Sequence, residues 1–254
     1  MSRIFLLILL LFNIESFSSY LLIPMDDSQT NHLKSYGIAF LSIQNEVKVD
    51  WLLNYKGGSF LIKHYPEIEK ECIVRGVSYQ IIADAQSTEI LRSISSPSVN
   101  QDVVRLEKIP KIAIYSPKNK QPWDDAVTMA LTYAEIPYDV IYDEEVLSGI
   151  LPIYDWLHLH HEDFTGQYGK FYATFKNTTW YKEQKKLYEQ LAIKLGFNKV
   201  SQEKLAVSLK IKEFIIGGGF LFAMCSATDS YDIALAAQNT DICAHMFDGD
   251  PIES

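Results

Sequence analysis

The residues best placed to do chemistry lie near the carboxyl end, in Ala223-Met224-Cys225-Ser226-Ala227. Gly217 to Gly219 and a short apolar run precede them, and polar Thr228 and Asp229 follow. The pattern reads as a helix stop, a buried strand, and a cysteine on a sharp turn into another helix. A nucleophile is held this way when its side chain must stand clear at the carboxyl end of a sheet. The alanines two before and two after leave room for the turn, and a following helix start favours the thiolate. The competing reading is a buried thiol acting as a small hydrophobe at a strand end.

Two further segments carry reactive groups. Asp155-Trp156-Leu157-His158-Leu159-His160-His161-Glu162-Asp163 gathers three of the six histidines, with two carboxylates beside them. It suits a general base with an orienting carboxylate, His160 or His161 with Glu162. A divalent metal on His158, His160, His161, Glu162 and Asp163 is a weaker reading, and a hydrogen-bonded strand end is the plain one. The loop Ser116 to Asp125 offers Lys118, Asn119, Gln121, Trp123 and Asp124 for a carboxylate or amide ligand near a helix start. Its plain reading is an ordinary connection into a helix opened by Pro122.

These segments need a scaffold, and from Lys111 onward the sequence supplies one. Strands are expected at Ile112–Tyr115, Tyr138–Tyr142, Asp155–His160 and Phe220–Cys225. Helices are expected from Pro122, over Tyr181–Leu195 and Ser201–Ile216, and from Tyr231. Val207, Ile211, Phe214 and Ile215 give Ser201–Ile216 its apolar stripe. Alternating strands and helices imply a parallel sheet covered on both faces, with chemistry at the carboxyl ends of its strands. Before this, residues 19–108 read as a small α+β unit. Its helices are Asn31–Ser42 and Pro66–Arg75, and VKVDWLLNY turns through Lys56-Gly57-Gly58 into Ser59–Ile62 as a hairpin. The turn-rich segment Ser93 to Pro110 reads as a break between this unit and the α/β domain 109–254.

Residues 1–18 read as a secretory signal peptide: Arg3, an apolar run from Ile4 to Ile14, then small residues at Ser16 and Ser18. The mature protein is therefore expected to be exported, to the periplasm, the outer-membrane surface or beyond, with no stable membrane insertion. A net charge of −9 argues against nucleic acid as a partner. Three cysteines leave open a Cys72–Cys243 disulfide or three thiols. No cofactor is expected; a small amide or carboxylate ligand is, and a protein partner is compatible with the same rim.

At the cysteine turn the chain resembles the class I glutamine amidotransferase-like superfamily, whose Gly-x-Cys-x-Gly elbow is here Ala223-Met224-Cys225-Ser226-Ala227. Over nearly the whole mature chain it is similar to a family of exported Bacteroidota proteins labelled asparagine synthetase B. The shared segments are LLIPMD, VDWLLNYKGGSFL, SPKNKQPWDDAVTMALTYAEIPYD, DWLHLHHEDFTGQYGKFY and GGGFLFAMCSATDS. The resemblance implies a three-layer, mainly parallel, flavodoxin-like α/β fold with Cys225 as nucleophile. It does not imply synthetase chemistry, because the chain has neither a cysteine after the expected cleavage point nor a Ser-Gly-Gly-x-Asp-Ser loop. In the superfamily the catalytic histidine and glutamate come well after the cysteine, whereas here only 29 residues follow it and their only histidine is His245. The sequence thus reads as truncated at its C-terminus, with the base either beyond it or supplied by His160 or His161 with Glu162.

The sequence supports a cysteine-dependent amide hydrolase, with the backbone N–H of Ser226 holding the oxyanion. The rivals are a non-catalytic exported binding protein on the same fold and a metal-dependent hydrolase on the His158–Asp163 cluster.

Overall fold

The computed structural model describes residues 19–117, 126–167 and 171–252. The chain is α/β and divides into two compact units. The first runs to Ile109 and takes in Thr132–Ile136; the second holds Pro110–Leu131 and the chain from Pro137 onward.

The first unit is built on an antiparallel sheet of strands β1 (Ser19–Ile23), β2 (Val49–Leu53), β3 (Ser59–Lys63), β4 (Gln80–Ala83) and β5 (Asp102–Leu106), in the order β4-β1-β3-β2-β5. The expected hairpin is present, with Trp51 opposite Phe60. Helix α1 (His32–Gln44) is capped by Asn31, whose side chain accepts from Lys34 N–H, and α2 (Pro66–Arg75) opens on its proline. Leu21, Ile23, Ile38, Val49, Phe60, Ile62, Ile68 and Cys72 form one core; Leu22, Leu52, Leu61 and Ile82 form another with Ile94 of α3 (Asp84–Ile94). Both sheet faces are therefore buried, which is why β1 and β3 read as continuous apolar runs.

Ser93 to Pro110 is not simply a break. It contains β5, which pairs with β2 so that Val49 faces Leu106, and Arg105 bonds to Asp50 at 2.8 Å. The turn formers Ser95 to Asn100 are confined to the connection between α3 and β5. Pairing and one ion pair, not composition, hold this strand.

The second unit has a parallel sheet of β6 (Ile112–Tyr115), β7 (Asp139–Ile141), β8 (Trp156–Leu159) and β9 (Phe220–Ala223), ordered β7-β6-β8-β9. Its helices are α4 (Ala126–Ala134), α5 (Asp143–Leu147), α6 (Tyr172–Phe175), α7 (Thr179–Lys194), α8 (Val200–Ile216), α9 (Ser226–Ala236) and α10 (His245–Asp248). Ala113, Tyr115, Leu157 and Leu159 on one sheet face pack with Val146 of α5, Val207, Ile211 and Phe214 of α8, and Ala227 and Tyr231 of α9. Gly219 lets β9 start directly under α8, since a Cβ there would fall 2.2 Å from the Phe214 ring.

Several expectations need correction. Ile215 is exposed, so the buried stripe of α8 ends at Phe214. The helix expected from Tyr231 is α9, which begins at Ser226 and so makes Cys225 its cap rather than a strand residue. Likewise β8 stops at Leu159, so His160 lies beyond it. Cys72 and Cys243 are free, buried thiols, not a disulfide, and burial raises each to about 12. No described helix is long and apolar enough to cross a membrane.

Candidate functional site

The parallel register places the carboxyl ends of β8 and β9 side by side, with Leu159 opposite Ala223. Beyond this pair the two chains stay laced together. Met224 N–H donates to the Leu159 carbonyl at 2.9 Å, and Ala227 N–H to the His160 carbonyl at 3.1 Å. The Ser226 hydroxyl donates to the His161 carbonyl at 3.0 Å, and Ser230 Oγ to that of Glu162 at 2.8 Å. This lacing bridges the cysteine turn to the histidine segment.

Cys225 sits between these bonds at φ 52°, ψ −138°, a conformation that favours glycine, and its side chain is exposed. A non-glycine residue held there at the end of a central strand, opening a helix, is the geometry of a nucleophile elbow. Ala227 is fully buried, so the small residue after the turn answers to packing. The cysteine lies within 4.8 Å of ring nitrogens of both His160 and His161, one ligand atom taken from each residue. The two imidazoles stack with centroids 3.6 Å apart. Ser226 is the first residue of α9, so its N–H lies at the positive end of that helix.

His158 belongs elsewhere. It is fully buried, its Nδ1 donates to the Phe222 carbonyl at 3.1 Å, and its ring stacks on Phe222. It fastens β8 to β9. Asp163 is engaged in a local turn, with Oδ1 accepting from Thr165 N–H at 2.8 Å. Among the described residues the cluster of metal-ligating atoms at this rim comprises His160, His161 and Cys225, not the set His158, Glu162 and Asp163 with the two histidines. Lys118, Asn119, Gln121, Trp123 and Asp124 lie outside the described residues.

Beside the elbow is a cavity of about 110 Å³ lined by His161, Glu162, Ser226 and Ser230, with Phe171, Trp180, Tyr181 and Tyr188 as aromatic walls. A water's share of liquid volume is about 30 Å³, so the space suits a group of a few heavy atoms. A larger cleft of about 640 Å³, around Gln202, Asn239 and Asp241, does not include the cysteine.

The cavity floor holds a buried charge network that the sequence reading missed. Lys204 Nζ donates to Asp143 at 2.6 Å, to Tyr142 OH at 3.0 Å and to Tyr115 OH at 3.1 Å, and Tyr115 OH also bonds to Asp143. Burial is the largest single influence and works against this ammonium, but the charges of Asp143, Glu203, Tyr188 and Glu162 together outweigh it and hold Lys204 above the ordinary lysine range. Burial, with Asp143 beside it, drives the Tyr115 phenol well up. Glu162 is buried too, and its charge reaches Tyr142, Tyr188 and Lys204. A sequence signal existed: Lys204 lies three residues before Val207 and seven before Ile211, on the apolar stripe of α8.

No protein-family model, curated protein or solved structure matches the chain.

Proposed function

We propose that the second unit is a cysteine-dependent amide hydrolase on a class I glutamine amidotransferase-like, flavodoxin-like fold, in an exported protein of the family labelled asparagine synthetase B. The observation that carries this reading is the exposed Cys225 thiol at a strained strand-to-helix turn, within 4.8 Å of imidazole nitrogens on His160 and His161. Support for the architecture comes from the order β7-β6-β8-β9, which in chain order within the sheet is 2-1-3-4, the first four positions of the flavodoxin-like arrangement.

In this reading His160 or His161 takes the thiol proton and the thiolate attacks the carbon of a carboxamide. The N–H of Ser226 at the start of α9 stabilises the oxyanion. The protonated imidazole then passes its proton to the departing ammonia, leaving a thioester that water hydrolyses. The small aromatic cavity beside His161 and Ser226 is sized for the carboxamide arm, and Glu162 lies in its wall. ATP-dependent asparagine synthesis is not part of this function.

An electrophilic glutamine analogue tests it. Mass spectrometry should find the adduct on Cys225, and C225A should abolish both labelling and release of ammonia from glutamine-type amides. His160→Ala and His161→Ala should slow labelling by about a hundredfold, the usual scale of a general base. Wild-type protein that resists labelling yet binds amide ligands equally well as C225A would instead identify a non-catalytic binding protein.

A further inference from the structure

We infer that His160, His161 and Cys225 also form a binding site for a thiophilic divalent cation, zinc by the chemistry of its donors. One thiolate and two imidazoles are a donor set that selects zinc over hard cations such as magnesium or calcium. The three ligand atoms already lie within 4.8 Å of one another. A tetrahedral zinc bound at about 2.3 Å to sulfur and about 2.0 Å to nitrogen wants them roughly 3.3–3.6 Å apart. The backbone around the three residues is held by hydrogen bonds between the two segments. Leu159, His160 and His161 offer carbonyls to Met224 N–H, Ala227 N–H and Ser226 Oγ at 2.9, 3.1 and 3.0 Å. The site is open on the thiol side, where Cys225 is exposed, leaving a fourth position for water.

The acidic cluster of this unit does not compete. Asp241, Asp248 and Asp250 converge, but the Lys199 ammonium sits among them, 3.1 Å from Asp241 and 3.4 Å from Asp248, and bonds to Asp250.

Binding forms one Zn–S and two Zn–N bonds and releases the thiol proton to solvent, so affinity falls as the medium is acidified. The metal occupies the atoms that the amide chemistry needs. Zinc therefore acts as a reversible inhibitor of that chemistry, while the site itself stands on geometry and does not depend on turnover.

Cobalt titration of the purified full chain tests the site. One cobalt per chain should bind with a thiolate-to-cobalt charge-transfer band, and zinc should displace it. The band should vanish in C225S, and H160A and H161A should each bind at least about tenfold more weakly, with circular dichroism confirming that each variant is folded. Absence of the band in wild type, or unchanged binding in C225S, overturns the inference. Labelling of Cys225 by the glutamine analogue without cobalt uptake removes the metal site and leaves the amide hydrolase standing. Cobalt uptake without labelling does the reverse.

Discussion

The Ala227 N–H donates to the carbonyl of His160 at 3.1 Å, joining the first turn of α9 to the chain just beyond β8. The helix would otherwise leave this N–H without an intrahelical partner. Spending it on His160 fixes where the following imidazoles stand relative to Cys225. The geometry at this rim is thus set by backbone bonds, and the side chains inherit it.

The same fixation holds Cys225 at φ 52°. An L side chain there costs about 1–3 kcal/mol, whereas glycine is at ease. C225G should therefore be more stable than C225A by about 1 kcal/mol, the reverse of the usual alanine-to-glycine loss. Urea unfolding midpoints of the two variants measure this. A C225G protein less stable than C225A would show that the turn carries no strain.

Lys204 makes a second prediction. Lys204→Met leaves the fully buried Asp143 carboxylate without its cation, and breaking a buried pair from one side costs about 3–5 kcal/mol. Adding Asp143→Asn removes the orphaned charge, so the double variant should be more stable than Lys204→Met alone. Denaturant titration of the pair and both singles gives the coupling. Additive losses would mean that the two groups do not depend on each other.

What the sequence made legible follows from local physics. Cys225 was visible because a helix stop, an apolar run and small flanking residues are all local signals. The alternation from Ile112 onward showed for the same reason. β5 did not, since Asp102 to Leu106 is held by β2, some 50 residues earlier, and its neighbours are turn formers. Glu162 could be paired with the histidines on paper, but only the fold revealed that it lies beside Lys204 and the buried tyrosines. The start of α9, five residues before Tyr231, is hard to see in the sequence because Ser226, Thr228 and Asp229 are weak helix formers whose value lies at the first turn.

Gly166, in the cavity wall, has φ +74°, and a Cβ on it would fall 2.5 Å from Ser201 Cα. Gly166→Ala therefore meets both an unfavourable backbone conformation and a clash with backbone, together costing about 3 kcal/mol. Gly149→Ala is the control, since Gly149 has φ +86° but open space around it; it should lose only about 1 kcal/mol. Equal losses for the two variants would show that the Ser201 contact yields freely.

Glu203 supplies a pH dependence. It is fully buried, and among the described residues neither carboxyl oxygen has a hydrogen-bond donor. Burial lifts it from 4.5 to about 8; the Lys204 charge opposes this and Asp143 adds to it. Between those values the folded chain keeps the proton and the unfolded chain has lost it. The folded state therefore binds more protons, so stability falls as pH rises from about 4.5 to about 8 and levels off above. Glu203→Gln cannot ionise and lacks this slope. Unfolding free energies of both proteins at pH 5 and pH 8 should diverge, with wild type losing more by on the order of a few kcal/mol. Parallel curves across that window would mean that Glu203 is already ionised in the fold and that the Asp143–Lys204 pair is surrounded by more negative charge than its geometry implies.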